Sequence, residues 1–247
     1  QLLVRNTITN DLSYEGPETY QLKAAITNSA ATSTGASSYG TATIVDDGTG
    51  AIYLADPQAP GNPDPNAPLN DDRAVQVNNI DVNEGSPYAV FTVSTPAGAA
   101  GTYVKLGLQN DNDPNTADAT LGTDAGSALQ YFNGNSWVNY TPGTPVLIPA
   151  GGLLVRTAIT NDTVYEGPEA LQLSATVTNP SGSTNGLASY GTATIHDDGT
   201  GDIYAANNAT GTPDVPGSNG APPLNDDRIL RINNVTVNEA SPWMVFT

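Results

Sequence analysis

The stretch 159–173, "ITNDTVYEGPEALQL", places three carboxylates in an apolar frame with no Lys or Arg between them. The three acids are Asp162, Glu166 and Glu169. A second stretch beginning at Ile8, "ITNDLSYEGPETYQL", has the same acids at the same spacing. Carboxylates this close repel one another unless a counter-charge is present. The chain therefore builds the same acidic feature at least twice, and that feature needs a partner.

Internal repeats organise the rest of the chain. "SYGTATIVDDGTG" from Ser38 matches "SYGTATIHDDGTG" from Ser189 at a spacing of 151 positions, and "LNDDR" from Leu69 recurs from Leu224 at a spacing of 155. Two interpretations stay open, a window from a longer repetitive array and a subunit whose ends complete a domain by strand exchange. Either way, the pattern predicts the C-terminal part of a first repeat (1–50), a Pro-rich linker (51–72), a complete domain (73–201), a Pro/Gly-rich linker (202–227) and the N-terminal strands of a further repeat (228–247).

The complete domain has the sequence signals of strands throughout. Alternating or apolar runs are separated by Gly, Pro, Asn and Asp, and no segment has a helical stripe. About seven strands in such a domain predict an all-β fold, with Ig-like antiparallel β-sandwich repeats in tandem. The expected strands cover 74–82, 88–94, 102–109, about 128–140, 152–160, 169–178 and 188–196.

Composition excludes several classes of partner. Acids outnumber bases by 25 to 7, which gives a formal charge of −18. We therefore expect no binding to nucleic acid, which needs basic patches. No apolar run approaches the roughly 20 residues of a membrane helix, so no membrane insertion is expected. The absence of cysteine excludes disulfides and thiolate metal sites and leaves oxygen-bound cations as candidate staples.

The expected strand order brings the acids together. In an Ig-like sandwich successive strands broadly alternate in direction, so acids that follow the first, third, fifth and seventh strands meet at one pole. Calcium takes six to eight oxygen ligands in tolerant geometry, magnesium requires a stricter octahedron, and zinc prefers His or Cys. The predicted cofactor is therefore Ca²⁺, and the acids expected at this pole are Glu84, Asp124, Asp162, Glu166, Glu169, Asp197 and Asp198.

Four separated motifs also resemble the Calx-β domain, which occurs in sodium–calcium exchangers and in bacterial surface proteins. They are "VNEGSP" (82–87), "GTD" (122–124), "ITNDTVYEGPEALQL" and "TIHDDGTG" (194–201), in the family's order. The resemblance implies that the seven acids are calcium ligands. It implies the same role in the partial repeats for Asp11, Glu15, Glu18, Asp46, Asp47 and Glu239. Asn161 and Gly199 stand where the family pattern has Asp, which implies fewer or weaker calcium ions.

These features favour a structural role. We interpret the chain as a calcium-stabilised tandem-repeat segment in the stalk or fibre of a large secreted bacterial surface protein, at the cell surface, with neighbouring repeats as its partners. The proline-rich linkers are stiffened rather than fully flexible. Four acids at the linker ends are candidates for additional cation ligands: Asp71, Asp72, Asp226 and Asp227.

Three alternatives belong to other classes. A self-polymerising filament subunit would join incomplete end domains by strand exchange. A calcium sensor would need a partner domain that reads the change. A carbohydrate-binding module would bind surface glycans on the local aromatic group Tyr131, Trp137 and Tyr140. Enzymatic activity is not expected, because a glycosidase needs two carboxylates flanking a sugar cleft and aromatic platforms, whereas these acids cluster and aromatics make up only 6% of the chain.

Overall fold

A computed structural model describes residues 2–11, 13–32, 35–54, 61–96, 101–183 and 186–247. Throughout these ranges the regular structure is β, without a helix. In particular, they contain no long apolar helix of the kind that crosses a membrane. The strands are β1 (Glu18–Ala25), β2 (Ser37–Ile44), β3 (Gln76–Val77), β4 (Ile80–Asn83), β5 (Tyr88–Ser94), β6 (Tyr103–Asn110), β7 (Ala117–Asp118), β8 (Gln130–Phe132), β9 (Trp137–Asn139), β10 (Val146–Leu147), β11 (Leu153–Ala158), β12 (Glu169–Thr178) and β13 (Ala188–His196).

Two sheets form the body of the middle domain, 73–201. One has the order β10-β6-β12-β13-β4, with β7 beside β12, and the other has the order β3-β5-β11-β8-β9. Phe91, Val155, Leu171 and Leu173 from both sheets are buried in one continuous apolar cluster. Along β13, for example, buried side chains alternate with more exposed ones from Gly191 onward, which is the period-two pattern of a strand in a sandwich. The predicted all-β sandwich is confirmed, with most strand pairs antiparallel and the pairs β4–β13 and β7–β12 parallel.

The strand expected over 74–82 is divided between the two sheets. β3 pairs antiparallel with β5, whereas β4 pairs parallel with β13. Two asparagines hold the crossover between them. Oδ1 of Asn78 accepts the N–H of Thr92 (2.6 Å), and Oδ1 of Asn79 accepts the N–H of Thr192 (2.9 Å). Each sheet is thus tied to the crossover by one side chain, a contact that hydrophobic periodicity does not specify.

Gly191 in β13 leaves the space that the crossover occupies. A Cβ at this position would lie 2.3 Å from the carbonyl oxygen of Asn78 and 2.6 Å from Cγ1 of Val77. The counterpart in the first repeat, Gly40 in β2, has no atom within 4 Å of the same point. The crossover, rather than the strand itself, therefore requires glycine at position 191.

The segment 202–214, expected to be the start of a linker, packs against the middle domain. Ile203 and Tyr204 are almost fully buried. The N–H of Asp214 donates to the carbonyl of Ile203 (2.7 Å), and Nδ2 of Asn208 donates to Oδ2 of Asp214 (2.8 Å). These hydrogen bonds fold the segment into an excursion that returns toward its starting point, so its length does not measure the separation of two domains.

An arginine on the outer face of the smaller sheet holds this excursion in place. The guanidinium of Arg156 lies 3.7 Å from the ring centroid of Tyr88 and 4.1 Å from that of Trp137. Its Nη1 donates to the carbonyl of Ala206 (2.8 Å), and Nε1 of Trp137 donates to the carbonyl of Asn208 (2.7 Å). Cation–π contacts of this kind contribute about 0.5–2 kcal/mol each. The outer face of this sheet is therefore covered by the chain's own excursion.

The partial repeats keep local features of the middle domain. β1 and β2 pair with Glu18 opposite Ile44, as Glu169 lies opposite Ile195. Near the C-terminus, the N–H of Asn233 donates to the carbonyl of Thr247 (3.0 Å), as Asn78 does to Thr92 in the middle domain (3.2 Å). The boundaries expected for the five segments stay predictions.

Candidate metal centre

The ends of three strands in the larger sheet bring acids to one pole of the sandwich. The parallel register of β4 and β13 pairs Asn83 with His196, so the next residues, Glu84 and Asp197, leave the sheet side by side. Glu169 opens β12 at the same edge, where it lies opposite Ile195. Three acids separated by up to 113 positions are therefore neighbours because of strand register.

Two connecting segments supply the remaining acids. The segment after β11 carries Asp162 and Glu166, and the turn before β8 carries Asp124. The N–H of Thr160 donates to the carbonyl of Asp124 (2.9 Å), which joins the two segments. The small cavity between them has a volume of about 20 Å³, and the acids that line it are Glu84, Asp124, Asp162, Glu166, Glu169 and Asp197. Such a volume accommodates a water-sized sphere.

The acids form two groups. In one, Glu84, Asp197 and Asp227 each offer a carboxylate oxygen, and these oxygens lie within 4.8 Å of one another. In the other, Asp124, Glu166 and Glu169 do the same. Asp227 comes from the end of the second linker, where its position predicts only an additional candidate ligand, and it is a full member of the first group.

Main-chain amides hold the carboxylates in place. Oε1 of Glu84 accepts the N–H of Asp162 (2.8 Å). Both oxygens of Asp197 are used, since Oδ2 accepts the N–H of Glu166 (3.1 Å) and Oδ1 accepts that of Asp227 (3.3 Å). Amide donors stabilise the ionised form of a carboxylate. Asp197 thus links the segment after β11 to the end of the second linker.

The second oxygen of Glu84 has no partner. Glu84 is 7% exposed, and its Oε2 is buried without a hydrogen bond. A buried carboxylate oxygen that is left unpaired carries a large desolvation cost. Glu84 lines the cavity together with five other carboxylates, so this unpaired oxygen lies in a strongly acidic environment.

Burial and mutual repulsion shift the titration of these acids. Burial raises the pKa of Glu84 to about 7, and the neighbouring Asp197 adds to this effect. Burial also raises the pKa of Glu169 to about 7, with the negative charges of Asp124 and Glu166 acting in the same direction. The pKa of Glu166 is raised for the same reasons. The site as it stands resists carrying its full negative charge.

Cationic side chains do not relieve this charge. Within the described ranges, the ion pairs are Arg73–Asp71, His196–Asp81 and Arg228–Asp226. None of these pairs includes an acid that lines the cavity. In the described part of the chain, the acids of the cavity are therefore not neutralised by an ion pair with Arg, Lys or His.

Asp198 is the one predicted acid of the middle domain that lies away from the cavity. Its Oδ1 accepts hydrogen bonds from the N–H (3.1 Å) and the hydroxyl (2.5 Å) of Thr200. These bonds, together with the charges of His196 and Arg228, lower its pKa. The positive φ of Gly199 (77°) turns the chain at this point. Asp198 therefore stabilises the turn after β13, and its expected role as a ligand stays untested.

The first repeat reproduces part of the site. The N–H of Glu15 donates to Oδ2 of Asp46 (3.3 Å), as Glu166 does to Asp197. Burial, and then the nearby Asp72, raise the pKa of Asp46. Asp47 accepts hydrogen bonds from Thr49, as Asp198 does from Thr200. The arrangement around Asp46 and Asp72 thus matches that around Asp197 and Asp227.

The other acids predicted in the partial repeats are more isolated. Asp11 accepts the N–H of Ser13 (2.8 Å), Glu18 opens β1, and Glu239 lies exposed in a turn. In the part of the chain that the structure describes, no three acids of a partial repeat form a group as close as those in the middle domain.

The aromatic group expected to serve a glycan-binding role is used in packing. Tyr140 is buried, and its hydroxyl accepts the N–H of Leu106 (3.0 Å). Trp137 packs against Phe132 with ring centroids 5.5 Å apart and has Arg156 over its ring. Tyr131 packs against the core. Tyr140 is therefore enclosed, whereas Tyr131 and Trp137 are only partly buried, and the glycan-binding alternative stays a prediction.

No family model and no curated relative matches the sequence. Among solved structures, the calcium binding domain CBD12 of CALX1.1 is similar over 51% of this chain and 44% of its own, at 19% identity and a TM-score of 0.31. The apo-form Calx CBD1 domain is similar over 50% of this chain and 97% of its own (16%, 0.26), and the E. coli chaperone DraB over 50% and 55% (8%, 0.30). Similarities at this level establish neither family nor function, and this chain spans less than half of CALX1.1 CBD12.

Proposed function

We propose that this chain is a calcium-stabilised segment of tandem β-sandwich repeats, which serves in the stalk or fibre of a large secreted bacterial surface protein. The observation that carries the proposal is the buried, unpartnered Oε2 of Glu84. It lies in a cavity lined by six carboxylates without a cationic side chain among the residues that line it. A bound cation would remove both the desolvation cost and the repulsion.

The donor set selects the cation. The lining side chains that can ligate offer only oxygen, from carboxylates and from the hydroxyls of Thr123 and Thr160. Calcium accepts six to eight such ligands and tolerates irregular geometry. Zinc prefers nitrogen or sulfur, and magnesium retains most of its waters. When bound, calcium supplies positive charge and cross-links loops, so the residues proposed to hold it are Glu84, Asp124, Asp162, Glu166, Glu169, Asp197 and Asp227.

A structural role follows from what these residues connect. They come from both ends of the sandwich sequence and from the end of the second linker, so one cation would tie the exit of the chain to the body of the domain. Extracellular calcium is sufficient for sites of the affinity typical of extracellular modules, about 10⁻⁴–10⁻³ M. A repeat that is stiff outside the cell and loose inside suits a secreted stalk.

Calorimetric titration of calcium into the metal-free 247-residue chain tests the site. We expect calcium to bind and to raise the melting temperature. Glu84→Gln should weaken the affinity for calcium at least tenfold and reduce the rise in melting temperature. Asp198→Asn is the matched control, because this acid lies nearby but outside the cavity, and it should bind calcium as the parent does. No binding at about 5 mM calcium would reject the proposed site.

Small-angle scattering tests the structural role. With calcium, the chain should have a fixed maximum dimension and a narrow distribution of shapes. Addition of a chelator should broaden that distribution. Identical scattering with and without calcium would leave the cation without a role in stiffness, even if it binds.

A further inference from the structure

The first repeat and the middle domain meet at a buried polar joint. Arg73 donates through Nε and Nη2 to the two oxygens of Asp71 (2.8 and 2.7 Å), and through Nη1 to the carbonyl of Gly101 (3.1 Å). From the other side, Nδ2 of Asn179 donates to the carbonyl of Gly48 (3.1 Å). Gly101 and Asn179 belong to the middle domain, whereas Gly48 belongs to the first repeat.

The side chains of this joint are fully enclosed. Asp71 is 0% exposed, Arg73 is 5% exposed and Asn179 is 6% exposed. A buried bidentate pair between arginine and carboxylate fixes orientation strongly, because either partner alone would be left as an uncompensated charge. The Arg73–Asp71 pair lies in the segment between the two units, and the Asn179–Gly48 bond crosses from the middle domain to the first repeat.

One half of the joint recurs at the next boundary. We define the exit turn as the "NDDR" motif at 70–73 and again at 225–228. The second exit turn makes the same internal bonds, with Arg228 donating to both oxygens of Asp226 (2.7 and 2.6 Å). The amide of Gly199 donates to the carbonyl of Asn225 (3.0 Å), as Gly48 does to Asn70 (2.9 Å). Here, however, the side chains of Arg228 and Asp226 are 56% and 41% exposed.

The other half of the joint recurs in the first repeat. We define the receiving loop as residues 179–183, where Oδ1 of Asn179 accepts the N–H of Ser183 (3.0 Å). In the first repeat, Asn28 stands 151 positions before Asn179 and accepts the N–H of Thr32 in the same way (2.8 Å). Both repeats therefore carry a receiving loop, and both are followed by an exit turn.

From this distribution we propose that the exit turn and the Gly48 turn bonded to it through Asn70 form, with the receiving loop, a head-to-tail joint, and that the partner of the exposed exit turn 225–228 is another repeat of this type. Arg73 and Arg228 are positioning residues, because each would orient the following repeat through a carbonyl like that of Gly101. A contact between two different surfaces of the same unit is heterologous, and it propagates into a linear array when the rotation between units does not close a ring.

This joint is separate from the proposed calcium site, since none of Arg73, Asp71 and Asn179 lines the cavity. If calcium does not bind, the proposal of this joint is therefore unaffected. The chain lacks cysteine, so Thr19→Cys in β1 and Gln109→Cys in β6, both exposed, accept a pair of spin labels without interference. Electron–electron distance measurements on the labelled 247-residue chain then report how the first repeat sits on the middle domain.

In the parent chain we expect one narrow distribution of label-to-label distances. Arg73→Ala should broaden this distribution. Arg228→Ala is the matched control, because it removes the same side chain from the exit turn that is not covered, and it should leave the distance unchanged. A second variant, Asn179→Asp, keeps the acceptor for Ser183 but loses the donor to Gly48, and it should also broaden the distance with the sheets intact by circular dichroism. A broad distance distribution in the parent would overturn the proposal, and so would a narrow distribution in both Arg73→Ala and Asn179→Asp. The same criterion applies in calcium and in chelator.

Discussion

The main-chain N–H of Asp162 donates a 2.8 Å hydrogen bond to Oε1 of Glu84, which stands 78 positions earlier in the chain. This bond satisfies one oxygen of the carboxylate and leaves Oε2 bare in the cavity. The segment after β11 and the turn after β4 are therefore joined before any cation binds. A site arranged in advance loses less conformational entropy on binding.

Stability without calcium should fall as the pH rises. Glu84 and Glu169 have folded-state pKa values of about 7 against an ordinary value of 4.5. Between these values the folded state binds more protons than the unfolded state, so the free energy of unfolding decreases with pH, by at most about 1.4 kcal/mol per pH unit for each group. Urea unfolding in chelator at pH 5, 6, 7 and 8 measures the slope, and a flat profile would contradict the shifted values.

Calcium should reverse this dependence, because carboxylates must be ionised to bind it. Glu84→Gln offers a matched test. In chelator the variant should be more stable than the parent at pH 8 by about 1–2 kcal/mol, since an unpaired buried charge is replaced by a neutral group. At millimolar calcium the order should invert. A variant that is less stable than the parent in chelator at pH 8 would show that the carboxylate is already compensated.

Asn83→Ala should destabilise the domain and release the second exit turn. Asn83 is fully buried, and its Nδ2 donates to the carbonyls of Thr200 (2.7 Å) and Asn225 (3.0 Å) while its Oδ1 accepts the N–H of Asn225 (2.7 Å). Loss of these bonds leaves buried groups unpaired, at a cost of about 2–5 kcal/mol. Hydrogen exchange at the amide of Asn225 should accelerate together with a lower denaturant midpoint. Protection that persists at Asn225 would show that other contacts hold the turn.

Gly191→Ala should cost several times more stability than Gly40→Ala, although the two glycines are counterparts. The new Cβ at 191 would meet the main chain of Asn78, which cannot rotate away, whereas position 40 is open. Overpacking of this kind costs about 1–3 kcal/mol or more. Thermal melting of the two single variants compares them directly. Equal melting temperatures would show that the crossover does not fill the space next to position 191.

Trp137→Phe should loosen the excursion 202–214 without changing the core. The substitution keeps an aromatic ring under Arg156 but removes the Nε1 donor to the carbonyl of Asn208. Loss of one such bond costs about 1 kcal/mol, which corresponds to a roughly fivefold faster cleavage within the excursion under limited proteolysis. Trp243→Phe is the control, since Trp243 is 78% exposed. Equal cleavage in both variants would show that the bond does not restrain the segment.

Strand positions were the most predictable part of this fold. The strands expected over 88–94, 169–178 and 188–196 coincide with β5, β12 and β13, because each is an apolar or alternating run bounded by Gly, Pro, Asn or Asp. The single strand expected over 74–82 was wrong. The apolar positions change phase there, from Val75 and Val77 to Ile80 and Val82, and the chain crosses between the sheets at the intervening Asn78 and Asn79. Periodicity records burial on one face but does not record which sheet provides the partner.

The candidate site was predictable only through the repeats. Acid spacing shared by the two copies pointed to Glu84, Asp162 and Asp197, and strand parity placed them together. The same spacing also pointed to Asp198, whose side chain accepts the hydroxyl of Thr200 and whose role as a ligand stays a prediction. Asp227 was harder to place, because a Pro/Gly-rich composition indicates a spacer and contains no signal that the chain folds back to its starting point.

Because the excursion 202–214 folds back toward its starting point, the number of residues in a linker does not set the spacing between the units that it joins. Asp72 follows Asp46 by 26 positions, whereas Asp227 follows Asp197 by 30. Even so, Asn70 bonds to Asn10 (2.8 Å) as Asn225 bonds to Asn161 (2.5 Å). In the proposed array, insertions and deletions within the excursion would be absorbed in a side loop, so the linkers could differ in length while successive units keep the same contacts.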